Sequence, residues 1–121
     1  MKKFKVRDND SGYEYNFNLG QNASENWRLL ESSSSWFIFF HLSSFPSCYG
    51  ILECNRDDKI TKSVISQCCE IVKNCTKFKW IKNIGIDYTT CDNVKKGEDI
   101  GTVYYRYNRK VSNIKKWFWK K

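Results

Sequence analysis

The chain has 121 residues, of which 40% are hydrophobic and 17% aromatic, and this composition fits one domain with a modest core over residues 1–121. Lysine and arginine outnumber the acidic residues 21 to 13, and the net charge of +8 favours a polyanionic partner. The longest apolar run, residues 36–40, is too short to cross a membrane, so we expect no membrane partner.

Two strands and a helix are predicted at the start of the chain. Phe4–Arg7 and Tyr13–Leu19 indicate antiparallel strands, because residues 8–12 between them are rich in turn formers. A helix is predicted from about Ala23 to Glu31, opened by a capping box. In that box the Asn22 side chain accepts from the Glu25 N–H, and the Glu25 carboxylate reaches back to the Asn22 N–H.

The middle of the chain predicts two buried strands and a second helix. Trp36–Phe40 is continuously apolar, which is typical of a central strand, and Cys48–Leu52 indicates the next one. Between Val64 and Cys75, apolar residues recur at helical spacing, with Lys73 assigned to the polar side and Thr61 or Ser63 as the cap.

The remaining elements are strands separated by basic loops. Ile81–Tyr88 and Gly101–Tyr107 indicate strands, and residues 92–99 between them predict a loop that carries Lys95 and Lys96. Residues 111–121 fit either a strand or a basic helix. The fold class predicted from these elements is α+β, with an antiparallel or mixed sheet and two helices packed on it.

The cysteines and the start of the chain bear on compartment and cofactors. No apolar segment follows Met1, so we expect no signal peptide, a cytoplasmic location and free thiols. No Cys-x-x-Cys occurs and the other spacings do not fit a zinc site, so we expect no metal and no cofactor. The six cysteines are Cys48, Cys54, Cys68, Cys69, Cys75 and Cys91.

Gly-x-Asn-Ala-x-Glu-Asn at residues 20–26, directly after an alternating strand, resembles the opening motif of the NFACT-R family. Its members are RNA-binding modules of ribosome-associated quality-control factors and also small stand-alone proteins. Further short motifs follow in the family's order as far as Val111. The residues that match family motifs are Asn22, Glu25, Asn26, Trp36, Lys73, Tyr88 and Gly101.

The sequence also departs from the family pattern. Family members have a histidine two residues after the strand tryptophan, where this chain has Ile38, and a second histidine where it has Cys48. The larger neighbouring domains of the quality-control factors are absent from this sequence. Their activity of extending stalled nascent chains is therefore not carried over.

The resemblance and the charge together imply nucleic-acid binding without catalysis. Basic residues concentrate after the second predicted helix, where phosphate contacts would give affinity without base choice. Nearby aromatics, Trp80, Tyr104 and Tyr107, fit either base stacking or the inner face of the sheet. The predicted nucleic-acid-binding residues are Lys79, Lys82, Lys95, Lys96, Arg106, Arg109 and Lys110.

Structured tRNA or ribosomal RNA is the expected partner. The resemblance also permits DNA and the ribosome itself, and a protein-interaction module without nucleic acid is the alternative from another class. We do not expect an enzyme. His41 with a cysteine has the residue types of a nucleophile and its base, but the position of His41 fits the end of an apolar strand. Asp57 and Asp58 are the residue types of a metal-dependent nuclease, but they fit a solvated loop.

Overall fold

A computed structural model describes residues 1–43, 47–77, 80 and 84–116, with the backbone alone for Lys115 and Lys116. The described residues form eight β-strands and two α-helices, with short 3-10 turns at Cys91–Asn93 and Asn108–Lys110. In chain order these are β1 (Lys2–Arg7), β2 (Glu14–Leu19), α1 (Ala23–Glu31), β3 (Ile38–Leu42), β4 (Gly50–Leu52), α2 (Lys62–Asn74), β5 (Ile84–Thr90), β6 (Val94–Lys96), β7 (Val103–Tyr105) and β8 (Ser112–Lys116).

Six strands form one sheet in the order β1-β2-β4-β3-β5-β8, and β6 pairs with β7 in a separate hairpin. Every pairing in both sheets is antiparallel. The predicted α+β class is therefore confirmed, in its antiparallel form.

Helices cover the large sheet on both faces. On one face the apolar stripe of α2, which includes Val64, Cys68 and Val72, packs on Phe17 and Phe40 of the sheet. On the opposite face, Leu29 of α1 and Val94 of the hairpin pack with Phe39, Tyr49 and Ile51. The alternation of side chains along each strand supplies both layers, because Phe39 and Phe40 point to opposite faces.

The start of α1 follows the predicted cap in part. Asn22 Oδ1 accepts from the Glu25 N–H at 2.9 Å. The Glu25 carboxylate accepts from the Gln21 N–H at 3.0 Å. The donor of the second bond of the capping box is therefore Gln21, one residue before the predicted donor Asn22. Asn22 has an extended backbone, and the N–H of the preceding residue, Gln21, faces the Glu25 carboxylate. The hydrogen bond from Gln21 lowers the pKa of Glu25.

Two predicted placements in the middle of the chain are wrong. Trp36 lies in a turn before β3, where its Nε1 donates to the Cys54 carbonyl at 2.9 Å and its ring lies 4.5 Å from the Arg56 guanidinium. Lys73 is fully buried, although the helical pattern assigned it to the polar side. Cys69, one turn earlier, is also buried, so the buried face of α2 is wider than the predicted stripe.

The hairpin also differs from the prediction. Lys95 and Lys96 lie in strand β6 and not in a flexible loop, because this segment pairs with β7 from Val94 to Lys96. The predicted strand at Gly101–Tyr107 is shortened to β7. Ser112–Lys116 of the undecided tail forms β8 on the edge of β5, and residues 117–121 lie outside the described part.

Candidate functional site

Four of the predicted nucleic-acid-binding residues are exposed on or just after the hairpin. Lys95 belongs to β6, Arg106 follows β7, and Arg109 and Lys110 lie in the 3-10 turn Asn108–Lys110. Within the described part of the chain, none of the four forms an ion pair with a carboxylate. Lys79 and Lys82 lie outside the described residues.

The register of the hairpin separates an inner from an outer face. Val94 pairs with Tyr105, and both contribute to packing on the sheet, whereas Lys95 pairs with Tyr104 and both are exposed. Arg106 has the same parity as Tyr104 and is also exposed. We name the exposed set the basic hairpin surface, which consists of Lys95, Tyr104, Arg106, Tyr107, Arg109 and Lys110.

The turn that carries these cations is held by a buried asparagine. The Asn93 side chain accepts from the Tyr107 N–H at 2.8 Å and donates to the Tyr107 carbonyl at 3.0 Å. Lys110 Nζ lies 4.9 Å from the centre of the Tyr107 ring, a cation–π distance. Arg106 and Lys110 line a depression of about 160 Å³, whose wall includes the carboxylate residue Asp92.

Lys96 has a different environment from Lys95. It forms an ion pair with Glu31, and its Nζ lies 5.0 Å from the centre of the Trp27 ring. Trp27 Nε1 in turn donates to the Thr102 carbonyl at 2.9 Å. Lys96 and Trp27 therefore lie where the hairpin meets α1, and the predicted loop placement of Lys96 is wrong because Lys96 belongs to β6.

A cavity of about 650 Å³ lies between the start of α1, strands β3 and β5, and the hairpin with its loop. Its wall includes His41, Tyr49, Asp87 and Tyr105. His41 and Asp87 are register partners on β3 and β5, so their side chains lie side by side on one face. Sequence reasoning treated His41 as the end of an apolar strand and did not select Asp87. The cross-strand register that joins them is not visible in either segment alone.

Asp87 is the centre of a hydrogen-bond network in this cavity. Its Oδ1 accepts from Ser43 Oγ at 2.7 Å and from Asn113 Nδ2 at 2.8 Å. The Tyr105 hydroxyl donates to Oδ2 at 3.3 Å. Burial, followed by the charge and hydrogen bond of Asp87, raises the pKa of Tyr105, so this hydroxyl stays protonated.

The His41 ring is held between two aromatic rings. It stacks on Phe39 with 6.2 Å between ring centres and meets Tyr49 edge-on at 5.3 Å. Burial lowers the pKa of His41, and the nearby Asp87 charge opposes this shift only in part. The ring is therefore neutral at pH 7, with one nitrogen that donates and one that accepts.

Residues of the family motif frame the same cavity. Asn22 caps the helix at its rim, and Asn26 Oδ1 accepts from the Tyr49 N–H at 3.2 Å. The Tyr49 hydroxyl donates to the carbonyl of Gly101. Gly101 has φ of +87°, and a Cβ there would lie 2.6 Å from the Ala23 Cβ.

Three other motif residues lie elsewhere. Tyr88 faces α2 and stacks on Phe40 with 5.6 Å between ring centres. Lys73 belongs to α2 and is buried in the core, and Trp36 bonds the Cys54 carbonyl from the turn before β3. In the described part of the chain, the contacts of these three residues are the packing and hydrogen bonds of the fold itself. The aromatic residues Tyr104, Tyr107 and Trp80 are all exposed, at 59%, 51% and 65%, so none of them fills the inner face of the sheet.

The thiols have the environment of structural cysteines. Burial raises the pKa of Cys54 to about 11 and that of Cys91 to about 12, which disfavours the reactive thiolate. Among the residues that the structure describes, no group of three or more metal-ligating side chains could hold a metal ion. No helix in these ranges is long and apolar enough to span a bilayer.

Comparison with known proteins gives a fold but no family. No family model matches the sequence, and no curated protein is significantly similar to it. Among solved structures, the fold is similar to that of the C-terminal part of the fibronectin/fibrinogen-binding protein from Streptococcus suis, with a TM-score of 0.77 and 18% identity. The match covers 95% of this chain and 45% of that one, and at this identity it establishes a shared fold.

Proposed function

We propose that this protein is a non-catalytic RNA-binding domain of the cytoplasm that docks on structured tRNA or ribosomal RNA through the basic hairpin surface. The observation that carries the proposal is the set of four exposed cations, Lys95, Arg106, Arg109 and Lys110, without carboxylate partners in the described part of the chain. The hairpin and its adjoining turn already order the backbone of these cations, so only side-chain freedom is lost when they meet a phosphate backbone.

The chemistry of the surface suits a backbone and exposed bases together. Arginine at 106 and 109 offers paired N–H donors that match phosphate oxygens, and Lys95 adds a point charge. Tyr104 and Tyr107 stand between these cations with more than half of each side chain exposed, which leaves ring faces for stacking on loop nucleotides. The resemblance of residues 20–26 and the later motifs to RNA-binding modules of ribosome quality control supports RNA over other polyanions.

Fluorescence anisotropy with labelled tRNA tests the proposal across a salt series. The Lys95→Ala/Arg106→Ala variant should weaken binding to every structured RNA and lower the slope of log K against log salt by about 1.5, since each phosphate contact contributes roughly 0.7–0.9. The matched control is Lys3→Ala/Lys5→Ala, which removes two exposed charges from β1. Equal losses in both variants would mean a response to net charge and would refute the site.

Duplex DNA of the same length serves as a competitor in the same assay. Preference for DNA would keep the basic hairpin surface as the site but change the partner. A-form RNA exposes 2′-hydroxyls in a shallow minor groove, so discrimination should persist at a salt concentration where bulk charge attraction is screened.

A protein-interaction role is the second candidate, and the structural neighbour favours it because that protein is described as fibronectin/fibrinogen-binding. The hairpin loop exposes Ile100 at 57%, and Tyr104 is nearby on β7, which gives an apolar contact patch beside the cations. Immobilised fibronectin and fibrinogen test this role. Binding that is insensitive to salt and lost in Ile100→Ser, with no RNA binding, would favour the protein module.

A further inference from the structure

The cavity beside the hairpin has the size and composition of a small-ligand pocket. Its volume of about 650 Å³ lies within the roughly 300–1,000 Å³ typical of such sites. Aromatic rings of His41, Tyr49 and Tyr105 contribute to a wall that is apolar in most of its area. A flat heteroaromatic ring is therefore a suitable occupant in shape and polarity.

The cavity wall carries side chains that both donate and accept, such as Gln21, Asn22 and Thr102, together with the carboxylate of Asp87. Asp87 Oδ1 accepts from Ser43 and Asn113. Among the described residues, Oδ2 accepts only the long bond from Tyr105, which leaves one of its lone pairs open. No cation pairs with Asp87 among the described residues. The neutral His41 ring adds a second acceptor on the same face.

The cavity is also adjacent to the proposed phosphate contacts. Tyr105 and Arg106 are consecutive, Tyr105 lies in the cavity wall, and Arg106 is exposed beside Lys110. The cavity wall also includes Gly101 and Thr102, in the loop that joins β6 to β7. A base turned out of a strand bound to these cations would reach the cavity across this loop.

We propose that this cavity binds one unpaired RNA base that carries an exocyclic amino group, that is adenine, cytosine or guanine, and rejects uracil. This inference rests on the proposed RNA binding. The amino group donates to the free Asp87 Oδ2 position and to the accepting nitrogen of His41, while the ring lies against Tyr49 and Tyr105. Uracil has no amino group, and its one edge donor, N3–H, lies between two carbonyl oxygens that repel an approaching carboxylate.

Cytosine and uracil give the decisive comparison, because they have the same size and cytosine carries an amino group at C4 where uracil carries a carbonyl. Fluorescein-labelled oligo(rC) and oligo(rU) of equal length are titrated in an anisotropy assay, with oligo(rA) alongside. We expect oligo(rC) and oligo(rA) to bind about tenfold tighter than oligo(rU), the effect of one hydrogen bond to a charged group.

Asp87→Asn tests the assignment directly. The amide keeps an oxygen for Ser43 and Asn113 but replaces the free acceptor by an N–H donor, so the preference for cytosine should fall to within about twofold or reverse towards uracil. His41→Phe is the second variant. It keeps a ring between Phe39 and Tyr49 without the nitrogens and should reduce the preference while melting as the native protein does. If Asp87→Asn does not fold, His41→Phe decides alone.

The outcomes separate the two proposals. Equal binding of all three oligonucleotides, still sensitive to Lys95→Ala/Arg106→Ala, would overturn the base pocket and leave RNA docking standing. A native cytosine preference that is unchanged in both cavity variants would also overturn it. Failure of every oligonucleotide and of tRNA to bind would overturn the RNA-binding function itself.

Discussion

Asn22 and Asn26, one turn apart at the start of α1, have different tasks. Asn22 is exposed and caps the helix, whereas Asn26 is buried and accepts a hydrogen bond from the Tyr49 N–H, next to the sheet. The first position therefore governs the stability of a helix end, and the second joins that helix to the wall of the cavity.

Asn22→Ala should lower the free energy of unfolding by about 1 kcal/mol, because the Glu25 N–H loses its acceptor. Urea titration followed by circular dichroism measures this change. RNA affinity, measured under conditions where the variant is fully folded, should stay within twofold of the native value. A large affinity loss without a change in stability would make Asn22 a contact residue.

Gly101→Ala should destabilise the protein more than Gly12→Ala does. Both glycines have positive φ, at +87° and +78°, but a Cβ at 101 meets Ala23 at 2.6 Å, whereas at 12 its nearest neighbour is the flexible Arg7 guanidinium at 3.3 Å. Backbone strain of about 1–3 kcal/mol is common to both, and the clash at 101 adds to it. Thermal melting of the two variants gives the comparison, and equal melting temperatures would refute tight contact between the loop and α1.

At the scale of the element, the two neighbouring lysines of the hairpin have different surroundings. Lys95 faces outward beside Tyr104, and Lys96 is paired with Glu31 against Trp27. Two adjacent residues on a strand point to opposite faces, so a substitution at 95 tests the proposed RNA contact and one at 96 tests the packing on α1.

Lys95→Ala should weaken RNA binding and lower the salt slope by about 0.7–0.9, while stability changes by less than about 0.5 kcal/mol. Lys96→Ala, its matched control in charge, should leave the salt slope nearly unchanged and lower the melting temperature. Anisotropy across a salt series and differential scanning fluorimetry measure the two effects. The reverse pattern would show that the register of β6 is wrong.

Interactions between residues close in the sequence are sufficient to predict the two helices and the fold class. Turn residues, the Asn22 cap and the apolar spacing of Val64, Cys68 and Val72 act over a few residues, and the structure has the first helix at the predicted bounds. The pairing of β6 with β7 depends on partners outside each segment, so Lys95 and Lys96 were assigned to a loop. The His41–Asp87 pair depends on the register of strands that are distant in sequence, and no local pattern marks it.

For the whole molecule, burial of ionisable groups predicts a loss of stability in alkali. Burial raises the pKa of Cys54 to about 11 and those of Cys91 and Tyr49 to about 12, above their unfolded values. The unfolded chain therefore releases protons first as the pH rises, and stability that is full below about pH 8.5 falls from there to about pH 12.

Chemical denaturation at a series of pH values measures this fall. Cys91→Ala removes one titrating group and should flatten the curve, although it also lowers the overall stability through the lost side chain. The three buried thiols, those of Cys68, Cys69 and Cys91, should react with a disulfide reagent only after unfolding, and chelators should not change the melting temperature. Stoichiometric zinc would contradict the assignment of the cysteines as free thiols, and a stability that rises between pH 9 and 11 would contradict the raised pKa values.

Strand β8 covers the edge of β5 and supplies Asn113 to Asp87, although the two strands are far apart in the chain. Synthesis proceeds from the N-terminus, so β5 is made before its partner β8. Until then the edge of β5 is an open template for other strands, and the cavity lacks one side of its hydrogen-bond network. A chain that ends before Ser112 thus differs from the longer chain in two ways, an unpaired edge on β5 and an incomplete hydrogen-bond network around Asp87.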